Sequence, residues 1–208
     1  ALTASVARFG VANVEGGNGL PFQSEGNAKL VGFDPRVADT LRRSSSGSAV
    51  GFDGATPQWI QLKYPLRTSS VVIADGVEAR LIEAEAALKT PDAAAALVIL
   101  NAVRSNASLL AQRGYAAGSL LPLTLQGTTA GQTDQLFKER AYWLFLTAHR
   151  LGDMRRLIRQ YGRGSESVFP TGNYFKGSTY GTDVSSPIPQ AEQNNPQFTA
   201  ASCVLSTA

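Results

Sequence analysis

Apolar residues recur at helical spacing over residues 75–89. Val77, Leu81, Ile82, Ala84, Ala86 and Leu88 are interleaved with Glu78, Arg80, Glu83 and Glu85. That spacing gathers apolar groups on one side of an α-helix. Asp75 stands where its carboxylate can cap the first turn. A second helix is predicted from Pro91 to about Ala111, with Leu97, Leu100, Val103 and Ala107 as its stripe. Thr90 reads as its N-cap, Pro91 as its first helical residue, and Asp92 as an acid that complements the helix dipole. A link this short predicts an antiparallel hairpin of tetratricopeptide type, although no clean repeat of that period is present.

A third helix is predicted from Asp134 to about Gly152, capped by Gln132 or Thr133. Its apolar face is Leu136, Ala141, Leu144, Phe145 and Ala148. The period continues through Met154, Leu157, Ile158 and Tyr161, and Gly162 and Gly164 end it. Between and around these segments the pattern changes. Gly16-Gly17-Asn18-Gly19, Asp34-Pro35 and Ser44-Ser45-Ser46-Gly47-Ser48 are turn and loop material. Trp59-Ile60-Gln61-Leu62 alternates as a strand does. The predicted fold is mainly α: tetratricopeptide-like helical hairpins with long irregular loops and extended N- and C-terminal segments. A single domain is expected over 1–208, with 1–70 largely irregular, 75–162 a helical core and 163–208 an extended wrap.

Composition narrows the chemistry. The 208 residues carry 19 basic and 16 acidic side chains, a net charge of +3, too small and too scattered for a nucleic-acid surface. One cysteine, Cys203, excludes an internal disulfide and a cysteine metal cluster. One histidine, His149, lies in a basic helical segment and offers neither a multi-histidine metal site nor a persuasive triad. No cofactor and no metal are expected. Glu83 and Glu85 do not face each other on a helix, so paired-carboxylate hydrolysis has no support, and a non-enzyme is expected. No apolar run reaches the length of a membrane span. Ala1-Leu2-Thr3-Ala4-Ser5 lacks the basic and apolar regions of a signal peptide, so any export signal or lipid-anchor cysteine would lie upstream.

Several phrases then fall in a telling order. They are Asp34-Pro35-Arg36, Lys63-Tyr64, Glu78-Ala79-Arg80-Leu81-Ile82-Glu83-Ala84-Glu85-Ala86 and Leu100-Asn101-Ala102-Val103-Arg104. Glu139-Arg140-Ala141, His149-Arg150-Leu151-Gly152-Asp153-Met154-Arg155-Arg156, and Pro187-Ile188-Pro189 with Glu192 and Asn195-Pro196 follow. Over residues 34–196 this series resembles the C-terminal region of the SusD/RagB family. Members of that family are longer, and their N-terminal portion has no counterpart here. The resemblance implies the nutrient-binding subunit of a SusCD-like system at the bacterial outer membrane, cell surface or extracellular face. Its partners would be a TonB-dependent transporter barrel and a glycan or peptide ligand.

Site expectations follow from residue chemistry. Sugar capture uses aromatic faces with polar groups beside them. Tyr174, Phe175 and Tyr180, flanked by glycines, are the first candidates, and Trp59 and Tyr64 are further ones. Trp143 lies in a helix and reads as core. Glu85 with Arg104, Glu139, and Asp153 with Arg150 or Arg156 are expected to form structural ion pairs. Asn101 is expected to satisfy backbone groups where a helix meets a loop. A rival use of such a fold is a self-assembling secreted or surface subunit, a homo-oligomer joined through its extended ends.

Overall fold

Asp75 opens the first long helix. Its Oδ1 accepts hydrogen bonds from the backbone N–H groups of Val77 and Glu78, both at 3.0 Å. The computed structural model describes residues 20–29, 32–44, 47–50, 54, 57–173, 177–199 and 204–208. Over these the chain is mainly α-helical. In order come α1 (Phe22–Gly26), β1 (Asp39–Leu41), β2 (Arg43–Ser44), β3 (Gly47–Ser48), β4 (Trp59–Gln61) and α2 (Gly76–Lys89). They are followed by α3 (Ala93–Ser105), α4 (Ala107–Gln112), α5 (Thr129–Trp143), α6 (Arg150–Tyr161) and α7 (Gln190–Gln193). The Gly16–Gly19 turn and Cys203 lie outside the described residues.

The chain divides into two compact units, one holding Pro21–Thr147 and the other Ala148–Ala208. In the first, α2 and α3 pack against each other, and α5 packs on both. Leu81, Ala84, Leu100, Val103, Leu110, Leu136 and Trp143 are buried there. Truncating one of the larger ones to Ala costs about 2–5 kcal/mol. The strands are small: β1 pairs antiparallel with β4, setting Asp39 opposite Gln61, and β2 pairs with β3. Trp59-Ile60-Gln61 is thus a strand, as its alternation predicts. In the second unit Met154 and Leu157 of α6 are buried, as are Val168 and Val184.

Four boundaries differ from the sequence expectation, each for a local reason. Thr90 closes α2 rather than opening α3: its hydroxyl donates to the Ala87 carbonyl. Asp92 is the N-cap of α3, accepting from the Ala95 N–H at 2.9 Å. The predicted helix to Ala111 breaks at Asn106, whose Oδ1 accepts from the Leu109 N–H at 3.0 Å and starts α4. A side chain able to cap has outcompeted helix continuation. The third helix starts earlier than predicted, with Thr128 as its cap. It stops at Trp143, well before Gly152. Leu146 and Ala148 stand at φ of 57° and 66°, in the left-handed region that ends helices. Ala107, Ala148 and Ile82, assigned to apolar faces, are exposed.

A neutral ion network and a basic cleft

Arg36 is carried by a one-turn 3-10 helix, Pro35–Val37. Asp34 caps that turn by accepting from the Arg36 N–H at 2.9 Å. Asp34 also accepts from the Arg36 guanidinium, with Nη2 to Oδ2 at 2.7 Å. Across the fold, Glu139 of α5 takes Arg36 Nη1 on Oε2 at 2.6 Å and Arg36 Nη2 on Oε1 at 3.1 Å. Arg104 of α3 reaches the same Oε1 with Nη1 at 2.7 Å, and its Nε donates to the Leu121 carbonyl. The Arg36 guanidinium also lies 5.3 and 5.1 Å from the ring centres of Tyr142 and Trp143.

Two cations therefore meet two carboxylates in the interior. Burial opposes the charge on Arg36, but Glu139 and Asp34 outweigh it and hold the guanidinium pKa above its ordinary value. Burial likewise pushes Asp34 up, and the Arg36 bonds overcome it and leave the carboxyl below the usual range. A bidentate fork of this kind fixes register between the elements that carry it.

A cleft of about 860 Å³ opens in the same unit. Its walls begin where β4 ends. The buried Gln61 amide accepts from the Tyr64 N–H at 2.6 Å and donates to the Tyr64 carbonyl at 2.8 Å. Both backbone groups of Tyr64 are thereby closed, and Lys63 and Tyr64 line the cleft. Asp75 and Arg80 come from the start of α2, Arg113 from the end of α4, and Tyr115 just after it. Arg113 is ion-paired with Asp75 Oδ2, and its guanidinium lies 5.6 Å from the Trp143 ring centre. Lys63 Nζ donates to the Phe145 carbonyl and lies 5.5 Å from the Tyr64 ring centre. Burial, with the like charge of Arg113, pulls the Lys63 ammonium down to about 8, and Asp75 only partly offsets them. The buried Tyr64 hydroxyl has no hydrogen-bond partner. Burial raises the Tyr115 phenol, against the pull of Arg113.

Of the aromatic candidates, Tyr64 alone lines this cleft among the described residues. Trp59 is half-buried on β4, opposite Leu41. Tyr180 is half-buried in the second unit, its N–H bonded to the Gly172 carbonyl at 3.0 Å. Tyr174 and Phe175 lie outside the described residues. Trp143 is buried, 2% exposed. Among the expected ion pairs, Asp153 accepts from Arg156 at 2.9 Å, and Arg150 is half-buried at the start of α6. Glu85 is buried on α2, while the ion pair of Arg104 is with Glu139. Asn101 binds both the N–H and the carbonyl of Leu123, closing a helix–loop contact.

The sequence pattern gives Arg36 no partner and does not single out Arg80, Arg113 or Tyr115 as site residues. Asp34-Pro35-Arg36 was the signal for the first. Arg113 had none, since its role comes from a helix break the pattern did not reveal. Among the described residues no group of His, Cys, Asp and Glu could hold a metal ion, and no helix is long and apolar enough to cross a membrane. Compared with family models, curated proteins and solved structures, the chain matches none.

Proposed function

We propose that the chain is the C-terminal portion of a nutrient-binding subunit in a SusCD-like, TonB-dependent uptake system at the bacterial cell surface. In this reading it takes up a glycan or a peptide and passes it to the transporter barrel. One observation carries the reading. Three phrases that resemble the SusD/RagB pattern, far apart in sequence, supply the members of one buried network: Asp34 and Arg36, Arg104, and Glu139. Motif residues that meet in this way serve a shared architecture, which here is a tetratricopeptide-like hairpin of α2 and α3 braced by α5. The cleft supports the binding role, because its volume lies in the range of small-ligand sites, roughly 300–1,000 Å³.

The test is purification of the tagged protein from outer membranes of its native host, with mass spectrometry of what accompanies it. A stoichiometric transporter barrel is the expected result. Large particles made of this chain alone would reject the receptor and favour the self-assembling subunit.

A further inference from the structure

The cleft is electrostatically unbalanced. Among its described lining residues, Lys63, Arg80 and Arg113 stand against a single acid, Asp75, with Glu83 paired to Arg80 outside the lining. Asp75 is already engaged twice, capping α2 with Oδ1 and holding Arg113 with Oδ2. At hydrogen-bond distance, among the described residues, the Lys63 ammonium meets a neutral carbonyl and no carboxylate. Holding a desolvated ammonium without a counter-ion is unfavourable, and an incoming anion relieves it. The Tyr64 hydroxyl is a buried donor with no partner, on a ring whose centre lies 5.5 Å from the same ammonium. An ammonium, a guanidinium and a phenol make a donor set for a carboxylate. Ser70 and Asn106 on the wall suit neighbouring hydroxyl or amide groups.

We propose that this cleft seats a carboxylate of the captured nutrient, held by Lys63, Arg113 and the Tyr64 hydroxyl with Arg80 at the rim. The inference rests on the nutrient-binding reading and narrows its substrate class to acidic ligands. The carboxylate comes either from a uronic-acid saccharide or from a peptide C-terminus.

Isothermal titration calorimetry on the whole chain separates the cases. The probes are trigalacturonate against its methyl ester, and trialanine against its C-terminal amide. A free acid binding at least tenfold tighter than its neutral counterpart is expected, and the arm that shows it names the source. Lys63→Met and Arg80→Gln, each checked for an intact thermal transition, should weaken that acid about tenfold and leave the neutral counterpart unchanged. Equal binding of acid and counterpart overturns the proposal, as does no binding by either acid, or an acid affinity unmoved in both variants. A neutral ester that binds as well as the acid would leave the receptor reading standing. Acid discrimination without any barrel partner in the membrane would leave the carboxylate seat and remove the receptor.

Discussion

The buried network and the cleft use the same residue types to opposite ends. Around Glu139 two arginines meet two carboxylates, and the members lie within hydrogen-bond reach of one another. In the cleft three cations line the wall with one acid: Arg113 pairs with that acid, Arg80 pairs with Glu83 on the surface, and a lysine is left with a neutral oxygen. Glycines mark the same contrast. A Cβ on Gly26 would stand 2.2 Å from the Val37 carbonyl oxygen, next to the turn that carries Arg36. A Cβ on Gly76, which lines the cleft, would meet nothing within 4 Å. Charge balance with no spare volume makes architecture. Charge surplus with spare volume makes a place for something else.

The harshest way to break the comparison is at Glu139. Glu139→Gln keeps the shape and removes the charge, leaving Arg36 buried with Asp34 and Arg104 buried without the carboxylate it pairs with. Breaking a buried pair in this way costs about 3–5 kcal/mol. Urea denaturation should show a loss of that size, and a loss under 1 kcal/mol would deny the network its role.

Asp39 sharpens the contrast, because it is a carboxylate the network did not absorb. It is 4% exposed on β1, neither oxygen has a hydrogen-bond partner, and burial pushes its pKa up to about 7. A folded-state pKa above the unfolded one favours the native state at low pH. That contribution is complete below about pH 4, and it drains away as pH rises to about 7, because the unfolded chain has already lost the proton. Asp39→Asn should lack this slope and exceed the wild type at pH 8 by roughly 2 kcal/mol or more. Urea titrations at pH 4, 6 and 8 measure it, and parallel curves for the two proteins would refute it.

The glycine pair is the next step down. Gly26→Ala drives a Cβ into backbone and should cost about 1–3 kcal/mol. Gly76→Ala, at the first residue of α2 with open space around it, should be neutral or stabilising by up to about 1 kcal/mol. Thermal melts of the two single variants compare them directly. Equal losses would mean that the cleft is as tightly filled as the network.

Legibility followed locality. Asp75 as a cap, the body of α2 and the strand at Trp59–Gln61 follow from near neighbours, and the sequence pattern found them. The same pattern ran through Asn106 and Leu144–His149, because apolar spacing carries no record of a capping side chain or a left-handed backbone. The network was half visible. Its members stood out as charged residues in ordered phrases, but Arg36 to Glu139 spans 103 positions, and only packing reveals the pair. The cleft was barely visible. Aromatic residues are the conspicuous candidates in the sequence, and of those Tyr64 alone lines it among the described residues, while the surplus of cations depends on how three separate segments converge.

Arg80 gives the smallest effect and the finest test of the comparison. Its ion pair with Glu83 is on the surface, with both side chains about half exposed, so water and salt weaken it. Exposed pairs of this spacing contribute about 0.3–0.5 kcal/mol, and Arg80→Gln should cost no more than that. Yet Arg80 belongs to the cation surplus of the cleft, and its charge acts on anything acidic placed there. Stability and acid binding should therefore separate in this variant: an almost unchanged urea midpoint beside a clear loss of affinity that shrinks as salt rises. A loss of stability above 1 kcal/mol would make the rim a structural element like the network, and the distinction between a balanced interior and an unbalanced opening would fall.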